Sequence, residues 1–238
     1  MPNYVYNTIH FNPEDAEKVK ALVCSDDREF DFNRIAPMPE SLNICSGSCT
    51  SDAWAYLTKG YTDDLKKRYP DEGESPDPSY FWTPDESTPF RGFPNPKTLP
   101  ELKVFAEIVR KNKDEYGCTD WYDWHCNYWG TKWNACDPCW YTGCDVSFDT
   151  AWSDPEPIYM ELAKKLGITF TVECEEESLA FCSVTTYSPD GKDEEVAEGI
   201  AGLVLLGQDR DDIIDRYSDW YDEDEMKKLN EELDALGL

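Results

Sequence analysis

The first eleven residues set the pattern. In NYVYNTIHF, residues 3–11, Tyr4, Tyr6, Thr8 and His10 alternate with Val5, Ile9 and Phe11, which predicts a strand with one apolar face. The period then changes. Asn12 suits an N-cap, Pro13 the first helical position, and Glu14 and Asp15 the positive end of a helix, with Ala16, Val19, Leu22 and Val23 as the buried stripe. FDFNRIAPMPE, residues 30–40, reads as a second extended segment closed by Pro37 and Pro39.

Residues 58–100 hold eight of the 16 prolines, interleaved with Tyr80, Phe81, Trp82, Phe90 and Phe93. This composition predicts a long ordered loop packed on a body rather than a free linker. Residues 101–116 predict a helix with Leu102, Phe105, Ile108 and Val109 inward and Gly117 as its stop. A second helix is expected from a cap at Ser153 or Asp154, with Ile158, Leu162 and Leu166 as its stripe and Gly167 at its end. ITFTVEC, residues 168–174, and LAFCSVTTY, residues 179–187, predict two strands, the second closed by a turn at SPDGK. EEVAEGIAGLVLLG then reads as a helix docked on the body, and the remainder, from Asp209, as a second helix or broken pair.

This order of elements predicts an α+β fold, an antiparallel sheet with helices packed on one face, plus an acidic helical C-terminal segment. The expected division is residues 1–192 as the α+β domain, with the Pro-rich insert at about 58–100, and 193–238 as the tail docked on it. MPNYVYNTIHF, FDFNRIAPMPE, NYWGTKWNA, FDTAWSDPEP and MELAKKLGITFTVECEEE, in that order over about residues 1–192, resemble the YubB-like family of phage and plasmid proteins. The paired WGTKW and FDTAW segments are the specific part. The resemblance implies a ferredoxin-like fold without an iron–sulfur cluster and a mobile-element origin. It brings no catalytic residues with it. The Pro-rich insert, the acidic tail and the cysteines of NACDPCWYTGC stand outside the family pattern.

Charge changes the functional picture most. Fifty acids against 22 bases give a formal net charge of -28. Such a field repels the phosphate backbone, so direct nucleic-acid binding is disfavoured. It serves solubility, or it engages a basic surface on another protein. From residue 190 onward there are 17 acids and five bases, set around Ile213, Ile214, Tyr217, Trp220 and Tyr221. The expected partner-binding residues are therefore Asp211, Asp212, Asp215, Asp219, Trp220, Asp222, Glu223, Asp224 and Glu225. The partner expected is the basic surface of a host protein, one that handles nucleic acid, with the acidic surface mimicking it. There is no apolar run of the roughly 20 residues a membrane span needs and no signal-peptide pattern at the start, so a cytoplasmic location is expected.

The stretch HCNYWGTKWNACDPCWYTGCDVSFDTAW, residues 125–152, is the other candidate for chemistry. Cys136 and Cys139 form one C-x-x-C, and Cys126 and Cys144 complete four ligands in a zinc-stabilised interaction module, the alternative reading. On the blander view the tryptophans are core and the cysteines fill space, with Gly130 and Thr131 in a tight turn that sets Trp129 and Trp133 across a hairpin. No cofactor is expected on that view. Acid pairs such as Asp120 and Asp123 carry little information in so acidic a chain, though a carboxylate hydrolase stays open. No phosphate-loop, dinucleotide, zinc-protease or serine-hydrolase motif is present, and no enzymatic activity is expected.

Overall fold

The computed structural model describes residues 3–83 and 93–238. The chain divides into two units, residues 1–36 with 129–238, and residues 37–128. The second unit is wider than the Pro-rich stretch at 58–100; Pro84, Pro89 and Phe90 of that stretch lie outside the described residues.

Unit 1 opens with β1, Tyr4–His10, followed by α1, Pro13–Val23. Val5, Asn7 and Ile9 are buried while Tyr6 is exposed, so the pleat sorts the strand as its alternation predicts. Asn12 stands at the N-cap of α1, though its side chain makes no capping hydrogen bond. The segment expected to be extended instead contains a short helix, α2, Phe32–Ile35. Asp31 caps it by accepting from Asn33 N at 2.9 Å. Asn134, a hundred residues on, donates to Asp31 at 2.7 Å and accepts from Phe32 N at 2.9 Å. This tertiary clamp overrides the alternating aromatics of FDF.

Unit 2 holds α3, Ser48–Lys59; α4, Asp63–Arg68; α5, Leu99–Tyr116; and the short α6, Trp121–Trp124. Gly117 ends α5 in the left-handed conformation, as its position predicts. Ile44, Cys49, Ala53, Leu65, Phe81, Leu102, Phe105 and Val109 form its core. Phe81 of the Pro-rich stretch is buried against Phe105, with ring centres 5.0 Å apart.

Unit 1 resumes with β2, Cys136–Trp140; β3, Asp145–Ala151; α7, Glu156–Leu166; β4, Phe170–Glu176; β5, Cys182–Ser188; and β6, Gly191–Ala197. The expected Trp129–Trp133 hairpin is not formed. Trp129 ends a π-type turn over His125–Trp129 and is buried, its indole N–H donating to Ala36 O at 2.9 Å. Lys132 lies over the rings of both Trp133 and Trp152. Gly130 has φ +80°, and a Cβ there would stand 2.6 Å from Pro157 Cδ, so this turn packs too tightly for any other residue. The N-cap position of α7 is Pro155 rather than Ser153 or Asp154; Ser153 Oγ donates to Gly130 O at 2.6 Å instead.

The six strands form one antiparallel sheet in the order β2-β3-β1-β4-β5-β6. Taken as β1-α1-β2-β3-α7-β4, the first four strands stand in the order 2-3-1-4, the ferredoxin-like arrangement, with unit 2 inserted in the chain between α2 and β2. Val5, Ile9, Val146, Phe148, Phe170 and Val172 pack with Val19, Val23, Ile158, Tyr159 and Leu162 into one core.

Residues 191–197 form the edge strand β6, although EEVAE reads as helix from the sequence. Its residues are mostly exposed and charged, which suits an edge that must not pair with another chain. The tail then forms α8, Gly199–Leu205; α9, Arg210–Ser218; and α10, Glu223–Leu236, around a core of Ile200, Leu203, Ile213, Leu229 and Leu233. Gly202 of α8 packs on Cys182, whose register partner is Glu175. Glu175 and Cys182 point away from the face that carries Cys174 and Tyr187, so α8 sits on the sheet face opposite α7.

Candidate functional site

The two tail helices begin with acids because acids are what their first turns need. Asp209 accepts from Asp211 N and Asp212 N at 2.9 and 3.0 Å, and Asp212 accepts in return from Asp209 N at 3.3 Å. Asp222 accepts from Asp224 N and Glu225 N at 3.0 and 2.9 Å, and Glu225 accepts from Asp222 N at 2.9 Å. Both are reciprocal capping boxes at the positive end of a helix dipole.

All nine residues expected to bind a partner are exposed: Asp211, Asp212, Asp215, Asp219, Trp220, Asp222, Glu223, Asp224 and Glu225. They divide by duty. Asp212, Asp222 and Glu225 hold the helix starts, whereas Asp211, Asp215, Asp219, Glu223 and Asp224 present their carboxylates outward. Trp220, at the corner between α9 and α10, is 83% exposed. Behind it the rings of Tyr217 and Tyr221 stack at 4.7 Å. Two of the tail's cations are already paired: Arg210 binds Asp234 at 2.8 Å and Asn230 at 2.6 Å, and Arg216 binds Glu175 at 2.6 Å.

The Arg216–Glu175 pair joins the tail to a second acidic surface that the sequence did not point to. On the sheet face opposite α7, Tyr6 stands between Asp149 and Glu175 in register, and His10 stands opposite Asp145. His10 Nδ1 lies 3.1 Å from Asp145 and its Nε2 3.6 Å from Glu173. Burial raises the Tyr6 phenol, with Glu177, Asp149 and Glu175 adding to the shift. Tyr6 and Tyr141 are 44% and 52% exposed, so aromatic rings and carboxylates again share an open surface. Strand register alone, invisible in a linear reading, gathers these residues.

The alternative zinc site fares differently. Cys126 belongs to unit 2 and Cys136, Cys139 and Cys144 to unit 1. Asp137, at φ +48°, lies in a bulge that leaves Cys136 opposite Asp149 and Cys139 opposite Ser147, on one face of β2. Among the described residues no group of three or more His, Cys, Asp or Glu gathers in a way that could hold a metal ion. Burial raises the Cys136 thiol, and the charges of Asp137 and Asp149 raise it further, against the thiolate a metal requires. Asp120 is buried and caps α6, accepting from Tyr122 N at 3.0 Å and Asp123 N at 3.1 Å, and burial raises its carboxyl. No helix among the described residues is long and apolar enough to cross a membrane.

One family-model match agrees with the fold. Residues 128–203, which run from the turn before β2 into α8, match the family model described as a ferredoxin-like domain in Api92-like protein. A solved structure, that of the protein Api92 from Yersinia pseudotuberculosis, is similar over 84% of this chain and 100% of its own, at 11% identity and a TM-score of 0.40. No curated protein matches the chain.

Proposed function

We propose that this chain is an accessory protein of a phage or other mobile element, of YubB-like type, that binds and inhibits a host defence or DNA-handling protein through its acidic surface. The observation that carries this reading is Trp220, 83% exposed at a corner flanked by Asp219, Asp222, Glu223 and Asp224. Tryptophan is among the residue types most enriched in interaction hot spots, where covering its large ring releases apolar surface from water. The charges name the kind of partner. A net charge of -28 drives off nucleic acid and draws in the basic grooves that hold it. Carboxylates then occupy places that phosphates take in the partner's ordinary complex.

The test is capture from bacterial lysate with tagged protein at low and high salt, read by mass spectrometry. The expected result is a basic, nucleic-acid-binding protein held at low salt and released at high salt. Lysine at Asp211, Asp215, Asp219, Glu223 and Asp224 together should abolish the capture. A clean lane at low salt, or capture that survives the reversal, removes the proposal.

A further inference from the structure

Cys45 and Cys49 flank the start of α3 in unit 2, in the sequence CSGSC. Gly47 between them takes φ +97°, a left-handed conformation, and folds the chain back so that the two side chains meet. Their sulfurs lie 3.1 Å apart, with the Cys49 thiol donating to Cys45 Sγ. Cys49 is buried, 4% exposed, in the core with Ile44, Ala53 and Leu65. Cys45 is half-buried and bonds Asn95, which is exposed. One sulfur thus faces the surface and its neighbour lies directly behind it.

The two thiols are also unequal in acidity. The hydrogen bond from Cys49 lowers Cys45 below the ordinary thiol value, while that same bond, then burial, pushes Cys49 far up. The pattern is an attacking thiol with a resolving thiol held in reserve.

We propose that Cys45 and Cys49 are a redox couple, a dithiol that closes to an intrachain disulfide when it meets a small disulfide such as oxidised glutathione. Cys45 releases its proton to water and its thiolate attacks one glutathione sulfur. The glutathione S–S bond breaks, and the departing glutathione thiolate takes up a proton. Cys49 then gives its proton to water and attacks the Cys45 sulfur of the mixed disulfide. The Cys45–Cys49 bond forms, the bond to glutathione breaks, and the second glutathione leaves as a thiol after protonation. Two protein thiols lose two electrons in all, and one disulfide becomes two thiols. A disulfide bond is about 2.05 Å long, so closure asks the sulfurs to approach by about 1 Å. This assignment is independent of the acidic surface and of the partner proposed for it.

The whole chain is treated with oxidised glutathione, blocked with an alkylating agent and digested with trypsin. Residues 35–59 form one tryptic peptide that contains Cys45 and Cys49 and no other cysteine. In the wild type this peptide is expected to lose two hydrogens and take up no alkyl group. Cys49→Ser should trap one glutathione on Cys45, and Cys45→Ser should leave Cys49 free of glutathione. A wild-type peptide alkylated at both sulfurs, while the exposed Cys139 carries glutathione, overturns the proposal. Glutathione on Cys49 in Cys45→Ser, at the yield seen on Cys45 in Cys49→Ser, overturns the division of roles.

Discussion

Tyr159 on α7 donates its hydroxyl proton to Asn7 Oδ1 on β1 at 2.8 Å, in the middle of the core. Both residues are buried, at 0% and 1% exposure. The Asn7 amide is fully engaged: it donates to Val5 O at 2.8 Å, Thr150 Oγ1 at 3.0 Å and Phe148 O at 3.3 Å, and accepts also from the Cys174 thiol at 3.4 Å. This network ties the helix layer to β1, β3 and β4 at one point. Tyr159→Phe should lower the stability to urea by about 1 to 2 kcal/mol, because Asn7 keeps only the weak thiol donor. Asn7→Ala should cost about 3 kcal/mol, since it orphans the hydroxyl and opens a cavity as well. The two should couple in a double-mutant cycle by at least about 0.5 kcal/mol. Additive losses would mean that the hydroxyl has another partner.

Glu176, at the end of β4, is buried under four donors. Ser178 Oγ and N donate to its Oε2 at 2.5 and 2.9 Å, Ala180 N donates at 3.1 Å, and Asn3 Nδ2 donates to Oε1 at 2.8 Å. The Ser178 hydroxyl leads in holding this carboxyl below the ordinary range, joined by Ala180 N, Asn3 and Ser178 N. A folded-state value below the unfolded one means that the ionised form stabilises the fold. The contribution is complete above the ordinary glutamate value of about 4.3 and is lost as pH falls through the folded value. Glu176→Gln should therefore destabilise by about 2 kcal/mol at pH 7, and the gap to wild type should close in acid. A gap independent of pH would show that shape rather than charge matters here.

What could be read from the sequence follows what the local pattern controls. The strand β1 was legible because the pleat alone sorts Val5 and Ile9 from Tyr6 and Thr8. Asn7 was not, because its core place is justified by Tyr159, 152 positions away. FDFNRI looked extended on its alternating aromatics, and Asn134 made it a helix. The strand β6 has no apolar alternation to betray it, being an exposed edge that β5 recruits by backbone pairing. The exposed acids of α9 and α10 were legible as a group, since charge density needs no register. The acidic sheet face around Tyr6 and His10, and the Cys45–Cys49 pair, were not: one needs strand pairing, the other the left-handed turn at Gly47.

The docking of the tail depends on one missing side chain. A Cβ on Gly202 would stand 2.7 Å from Cys182 Sγ, 2.8 Å from Cys182 Cβ and 3.2 Å from Ala197 O. Cys182 Cβ on β5 and Ala197 O on β6 are held by the strand pairing and cannot swing aside. Gly202→Ala should cost about 1 to 3 kcal/mol by pushing α8 off β5. The loss should be local, so limited proteolysis should cut the tail near Lys227 and Lys228 faster than in wild type. Unchanged cleavage would show that Ile213, Leu229 and Leu233 hold the tail without α8.

Trp220 and Asp222 sit two residues apart and should fail in opposite ways. At 83% exposure Trp220 has little native packing to lose, so Trp220→Ala should change folding stability by less than about 0.5 kcal/mol. If it anchors a partner, the same change should weaken capture by about 2 kcal/mol, roughly 30-fold in affinity. Asp222 accepts from two backbone amides at the start of α10. Asp222→Ala should therefore cost about 1 kcal/mol of helix stability. It should weaken binding less, because Asp219, Glu223 and Asp224 remain. Comparing the two variants for melting temperature and for salt-dependent capture separates the residue that binds from the residue that folds. Capture unaffected by Trp220→Ala would move the interaction away from this corner, toward the acidic face around Tyr6 and Asp149, where Tyr6→Ala is the next substitution to make.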